Sequence, residues 1–492
     1  MKLQWSIFPL LFFLGGQAFA QSHIPRFEPD PLALAYYEAG RQKQGYSWTE
    51  LAEISLWASG DTRASNLQGI KSAVSSLLNS KDLPSSGRDR AEYILTYLHR
   101  YYLRTYSTAQ TGVDIIFTHG RYNCVSSAVL YMIFCEAAGV EVSPVMTKDH
   151  SLVTVRVNGA EIDVETTNRY GFDPGDKKEF HDQFGRLTGF TYTSQRNYHE
   201  RQNISKIELV SLIFYNRIKD YNRQNRYADA VPLAVDRAAM LTGDSLAVNY
   251  QPRFLFEDPR SCLLESLLNH GAYLLRTNRE EDCLSWVKTA SLKYQDENWR
   301  ELSAAAVNNR VVRFVKEKKA AEARDFLESN KNIISEGTYE NLDIIVVDAE
   351  LLNRAGLAKT AAEGDSVLAD IAKARAGGVI DAKRAYELRN YAVLNTASAL
   401  CAPPEKNWRA AVQYIEKALA AFGSDRELEQ RAAIYLGNVA VDYHNRFAEL
   451  WNSASYAEAE RILNAALAEF PNDRRLLSDM EIVNRWKASS SR

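Results

Sequence analysis

Tyr122-Asn123-Cys124-Val125-Ser126-Ser127 sets a thiol in a polar lead-in directly before an apolar run. Asp149-His150 follows, and then Asp163-Val164-Glu165-Thr166-Thr167. Thiol, imidazole and carboxylate in that order can make a nucleophile, its base and the group that orients the base. Two carboxylates compete for the last role, and His119 in Thr118-His119-Gly120 is the rival base. Asn123 and Tyr122, beside the thiol, can shape an oxyanion site or cap a helix.

The flanking elements must bring these groups together. From Val125 to Ala138 apolar residues nearly fill a helix, with Gly139 as its stop. Cys124 then sits at the first turn, where unpaired N–H groups and the positive end of the helix dipole favour a thiolate. The same N–H groups can hold an oxyanion. After Pro144 the period changes: Ser151 to Val157 alternates, Asn158-Gly159 is a hairpin turn, and Ala160 to Val164 alternates again. A two-residue turn opposes Val157 to Ala160. One face then carries Val153, Val155, Val157, Ala160, Ile162 and Val164. The other carries His150, Leu152, Thr154, Arg156, Glu161, Asp163, Glu165 and Thr167. In that register Glu165 lies one diagonal step from His150, roughly 7–8 Å between backbones. Asp163 lies about four residues along, on the order of 13 Å. Glu165 is therefore assigned the orienting role and Asp163 is the alternative acid.

Gly120-Arg121-Tyr122-Asn123-Cys124, the isolated His150 opening a strand, and Asp163-Val164-Glu165-Thr166-Thr167-Asn168 resemble the transglutaminase-like cysteine superfamily, a papain-like fold. The match runs roughly from Thr111 to Gly175. In that family a helix-start Cys, a strand His and a carboxylate on the next strand form the triad, which implies Cys124, His150 and Glu165 as catalytic residues. The segment departs from the family's commonest Asp-Pro-Thr by having Glu-Thr-Thr. Gln110, the nearest upstream Gln, stands too far back to be assigned as an oxyanion donor. The family holds transferases, proteases and inactive members, so the resemblance implies chemistry rather than substrate.

Length and composition set the frame. The 492 residues suffice for two to four domains; 46% hydrophobic and 25% charged residues are ordinary for a globular chain. A formal net charge of −3 gives no argument for nucleic acid. Residues 1–20 read as a secretory signal peptide: Lys2, an apolar run from Trp5 to Leu14, and Ala18-Phe19-Ala20 before Gln21. That run is too short to span a membrane, and no later stretch is long enough. The expected location is exported, periplasmic in a Gram-negative-type bacterium and otherwise secreted. Five widely spaced cysteines do not make a disulfide framework, and Cys135, Cys262, Cys283 and Cys401 read as core. No motif for a metal or a cofactor occurs.

In chain order, residues 21–106 read as a helical region packing on the cysteine domain. Its helices are Pro31 to Gln42, Leu51 to Ala58 behind a capping box at Ser47, Leu67 to Leu78, and Arg88 to Tyr106. Residues 107–198 form the transglutaminase-like domain, with a possible further strand at Thr188 to Thr193. Residues 205–485 carry a small–large–small pattern: Ala459, Leu463 and Ala466; Ala411, Ile415 and Ala418; Cys283, Val287 and Ala290; Ala230 and Ala234; Ala323 and Leu327. This looks like degenerate tetratricopeptide (TPR-like) repeats, which stack into a solenoid.

The fold expected is thus mainly α, with a papain-like α+β cysteine domain followed by a TPR-like α-solenoid. The function expected is an exported cysteine enzyme that acts on peptide or protein amides through a thioester, with hydrolysis and acyl transfer both open. Its partners are a protein or peptide substrate and a protein docked on the repeats. The alternative is an inactive protein-binding module or an envelope scaffold.

Overall fold

The structure is a computed structural model that describes residues 24–175, 177–189, 192, 201–243, 258–404 and 406–490. The leader at 1–20 lies outside the described residues. The chain is mainly helical and divides into two compact units, 1–306 and 307–492, at a point inside one helix.

The first unit opens with α1 (Pro31–Lys43), α2 (Trp48–Ser59), α3 (Ala64–Leu78) and α4 (Gly87–Tyr101). Their starts follow from sequence. Asp30 caps α1 ahead of a Pro, and Ser47 with Glu50 closes a capping box on α2. Helix α4 stops at Tyr101, short of the expected Tyr106. The reason is that Thr105–Tyr106 (β1) pairs in parallel with Arg121–Tyr122 (β2), taking those backbone groups out of the helix. Between them lies α5 (Val113–His119), closed by Gly120 in the left-handed region.

Helix α6 (Cys124–Ala137) is the axis of the unit: every residue from Val125 to Cys135 is buried. It packs against α2, α4, α5 and one face of a sheet. The sheet has the order β5-β4-β3-β6, with β3 (Val142–Met146), β4 (Ser151–Val157), β5 (Ala160–Val164) and β6 (Gln202–Asn203), all neighbours antiparallel. Val157 pairs with Ala160, Val155 with Ile162 and Val153 with Val164, which is the register a two-residue Asn158-Gly159 turn imposes.

The second face of the hairpin is not left to water. Leu152, Thr154 and Asp163 are buried along with the apolar set. Helix α7 (Lys178–Thr188) presents Phe180 and Phe184 there. This helix replaces the start of the strand expected at Thr188 to Thr193; Gly189 caps it in the left-handed region, and β6 supplies the outer strand instead. Residues 190, 191 and 193 lie outside the described residues.

The first unit continues with α8 (Lys206–Arg223), α9 (Tyr227–Thr242), α10 (Pro259–Arg276) and α11 (Glu280–Lys293), so these helices share the core of the cysteine-bearing segment. Helix α8 packs on α2, α6 and β3 as well as on α9. The small residues Ala230, Ala234, Cys283 and Ala290 are all buried. Helix α12 (Asn298–Lys316) carries the chain across the division.

In the second unit α13 (Ala320–Ser329), α14 (Glu336–Leu357), α15 (Ala361–Ala376), α16 (Ala382–Leu400), α17 (Trp408–Phe422), α18 (Arg426–Asn452), α19 (Tyr456–Glu469) and α20 (Arg474–Ser490) each pack on their sequence neighbours. Ala323, Leu327, Ala411, Ile415, Ala418, Ala459, Leu463 and Ala466 are buried at these contacts. Small side chains there let helix axes approach. Among the described residues no helix is long and apolar enough to cross a membrane.

Candidate active site

Cys124 is the first residue of α6 because Asn123 ends the preceding extended backbone and caps the helix. Asn123 Oδ1 accepts from the Ser126 N–H at 3.0 Å, and Ser126 Oγ accepts from the Asn123 N–H at 3.0 Å. This reciprocal box fixes the helix mouth and the direction of the Cys124 side chain. Tyr122 is buried, and its hydroxyl donates to the Thr167 carbonyl at 3.1 Å. Asn123 and Tyr122 thus build the frame around the thiol.

His150 stands at the entry to β4, where its carbonyl accepts the Thr147 N–H at 2.8 Å. Its ring packs edge-on to Phe184, with centroids 5.3 Å apart. His150 Nε2 meets Glu165 Oε2 at 2.7 Å. Glu165 is fully buried just past β5. Its other oxygen, Oε1, accepts the Thr167 hydroxyl at 2.7 Å and the Thr167 N–H at 3.2 Å. The loop 165–171 that places these groups is tight: the Glu165 N–H donates to Gly171 O at 2.7 Å, and a Cβ on Gly171 would lie 2.0 Å from Glu165 O. Only glycine fits that approach.

The Cys124 thiol faces the imidazole. Burial pushes its pKa up, but the charge and hydrogen bond of His150, with the Ser151 N–H, outweigh this and hold it below the ordinary 9.0. For His150, burial opposes the charge, yet Glu165 and the facing sulfur raise it to about 10. The arrangement therefore favours a thiolate–imidazolium pair, with Nε2 engaged by the carboxylate and the other ring nitrogen left for proton exchange with sulfur. The remaining four cysteines shift the opposite way. Burial raises Cys135, Cys262 and Cys401, and takes Cys283 to about 12. All five are free thiols, and only Cys124 is partly exposed.

The structure thus brings Cys124, His150 and Glu165 together. It does not bring Asp163 there. Asp163 sits opposite Thr154, and its carboxylate is gripped by Arg201 at 2.8 Å through both oxygens and by the Tyr192 hydroxyl. That pairing is a buried structural ion pair, which rules out Asp163 as the partner of His150. The rival base His119 ends α5, exposed, with Nδ1 at 2.8 Å from the Thr118 hydroxyl.

A cavity of about 360 Å³ opens over the sulfur, lined by the 146–151 loop and by Leu212, Tyr215, Asn216, Lys219 and Arg223 of α8. Its size suits part of a peptide. Thr167 and the α8 wall are functional candidates that the motif alone does not single out. Thr167 shares the His150 face in the hairpin pattern, which is a usable signal. Helix α8 carries none, because its approach is set by packing on α6. Among the described residues no group of three or more His, Cys, Asp or Glu is placed to hold a metal.

A scan against protein-family models returns no match, and a search of curated proteins returns none either.

Proposed function

We propose that the chain is a transglutaminase-like cysteine enzyme, exported, that acts on peptide or protein amides. The observation that carries this reading is the 2.7 Å contact of His150 Nε2 with the buried Glu165, in an imidazole that also interacts with a thiol of lowered pKa. The Cys124 thiolate attacks the amide carbonyl, forming a C–S bond, and the oxyanion is met by N–H groups of the α6 first turn. The His150 imidazolium gives its proton to the departing amine as the C–N bond breaks, leaving a thioester. Water or a second amine then attacks the thioester; neutral His150 takes the attacker's proton as the C–S bond breaks, which releases the acyl product and restores the thiolate–imidazolium pair. Glu165 holds the imidazole in place and offsets its charge without itself moving a proton.

The papain-like core is supported by a helix-start thiol lying against an antiparallel sheet that bears the other two groups. A TPR-like solenoid in 307–492 is supported by sequential helix pairing with small residues at the contacts, and it supplies a docking surface for a protein partner.

Alkylation tests the reading. Iodoacetamide at graded pH, followed by peptide mapping, should label Cys124 well below pH 9 and ahead of the other four thiols. His150→Ala should slow that labelling. Labelling of Cys124 no faster than an ordinary thiol, in a folded protein, overturns the enzyme reading in favour of a module that keeps the fold without turnover.

A further inference from the structure

Beside the triad, a second cavity of about 590 Å³ is formed where α4, the turn after it and the loop 167–169 converge on α7. Its lining includes Arg100, Arg104 and Arg169 and contains no Asp or Glu. None of these three guanidinium groups meets a carboxylate among the described residues. Arg100 lies over the Tyr101 ring at 5.3 Å and Arg169 over the Tyr170 ring at 5.2 Å. Three arginines line one hollow without counter-charge among its lining residues, in a chain that is otherwise rich in paired arginines.

A second observation concerns the wall between them. Asn168 is 1% exposed and lines the same cavity. Its Oδ1 accepts the Tyr170 N–H at 2.9 Å, which fixes the orientation of the amide, and its Nδ2 has no acceptor. That donor is enclosed by protein, so Asn168 forms a polar backing to the cavity wall. His99, on the same wall, donates through Nε2 to the Thr166 carbonyl at 3.0 Å; burial lowers its pKa to about 4, so it adds no charge.

We propose that this cavity binds a small phosphate-bearing ligand, its oxygens held by the guanidinium groups of Arg100, Arg104 and Arg169. Planar guanidinium forks match tetrahedral oxyanions two hydrogen bonds at a time. The volume exceeds that of one phosphate and accommodates a diphosphate or a phosphorylated organic molecule. The site is separate from the thiol cleft, and its existence does not depend on turnover at Cys124.

Calorimetric titration of the full chain at constant ionic strength tests it, with inorganic phosphate, diphosphate, a sugar phosphate and ATP as probes and chloride as the control. Saturable binding of at least one phosphate probe is expected. Arg100→Gln with Arg169→Gln should weaken it at least tenfold while leaving the thermal transition unshifted, because both side chains are exposed. Arg104 is left intact, since its stem packs over Gly120. Tighter binding of the sugar phosphate or ATP than of the inorganic ions identifies an organic ligand; equal or weaker binding identifies a free phosphate or diphosphate. Heats no larger than those of chloride for every probe, or affinity unchanged in the double variant, overturn the proposal.

Discussion

Thr167 gives Glu165 two hydrogen bonds at one carboxylate oxygen, from its hydroxyl at 2.7 Å and its N–H at 3.2 Å. His150 occupies the other oxygen. Glutamate has one more rotatable bond than aspartate, and this brace removes that freedom. The Glu-Thr-Thr run therefore holds the longer side chain fixed against His150.

Replacing Thr167 with Val keeps the backbone bond and deletes the hydroxyl one. A hydrogen bond to a charged group contributes about 1.5–3 kcal/mol. Thr167→Val should lower the unfolding free energy by about that amount and slow Cys124 alkylation at neutral pH by about tenfold. Wild-type alkylation rates in the variant would show that the brace does not orient the acid.

Exchange of Asp163 and of Glu165 separates structure from chemistry. Asp163→Asn leaves Arg201 buried without the Asp163 counter-charge, a change that typically costs about 3–5 kcal/mol. Denaturant unfolding should register that loss, while Cys124 labelling below the denaturation midpoint stays as in the wild type. Glu165→Gln should do the reverse, cutting labelling at neutral pH more than it cuts stability.

The pH dependence has a definite sign. His150 has a folded pKa near 10, above its unfolded 6.5, so its contribution is complete below pH 6.5 and is lost as pH rises through about 10. Cys124 is the opposite case: its folded pKa lies below 9.0, so its contribution is present above 9.0 and is lost as pH falls through the folded value. In the wild type the two slopes oppose each other. In Cys124→Ser the thiol half is gone, and urea unfolding should show stability falling as pH is raised from 6.5. A flat profile in that variant would mean that Glu165 does not hold the imidazolium.

The hairpin turn offers a backbone test. Asn158 and Gly159 have φ of 51° and 81°, as a two-residue turn requires. Nothing lies within 4 Å of a Cβ added at Gly159, so Gly159→Ala reports backbone strain alone. It should cost about 1–2 kcal/mol in thermal unfolding. A neutral result would show that the turn tolerates L side chains and does not set the register.

The hairpin and the helix start were legible because both are local. Alternation with Asn158-Gly159 dictates which residues oppose each other, and the polar lead-in with Asn123 dictates where α6 begins. The choice of Glu165 over Asp163 followed from counting residues along two strands. What escaped was long-range. Arg201 reaches Asp163 across the sheet, and nothing in the 163–167 motif announces it. Helix α7 was hidden by a Gly- and aromatic-rich composition that reads as loop. Helix α4 ended early because a partner strand claimed Thr105 and Tyr106, which its own apolar spacing cannot reveal. The helices α8 to α11 carry repeat-like spacing yet belong to the core of the first unit, since spacing records which face is buried and not what buries it.

One side of α8 is core against α6, and the same helix supplies Leu212, Tyr215 and Asn216 to the chamber over the sulfur. Chemistry and scaffold consequently share a single rod. Cutting the chain after residue 204 would strip the chamber of the wall that α8 supplies, so the segment that bears the motif does not build the chamber by itself. Any force that tilts α8 is felt at Cys124 directly, without an intermediary.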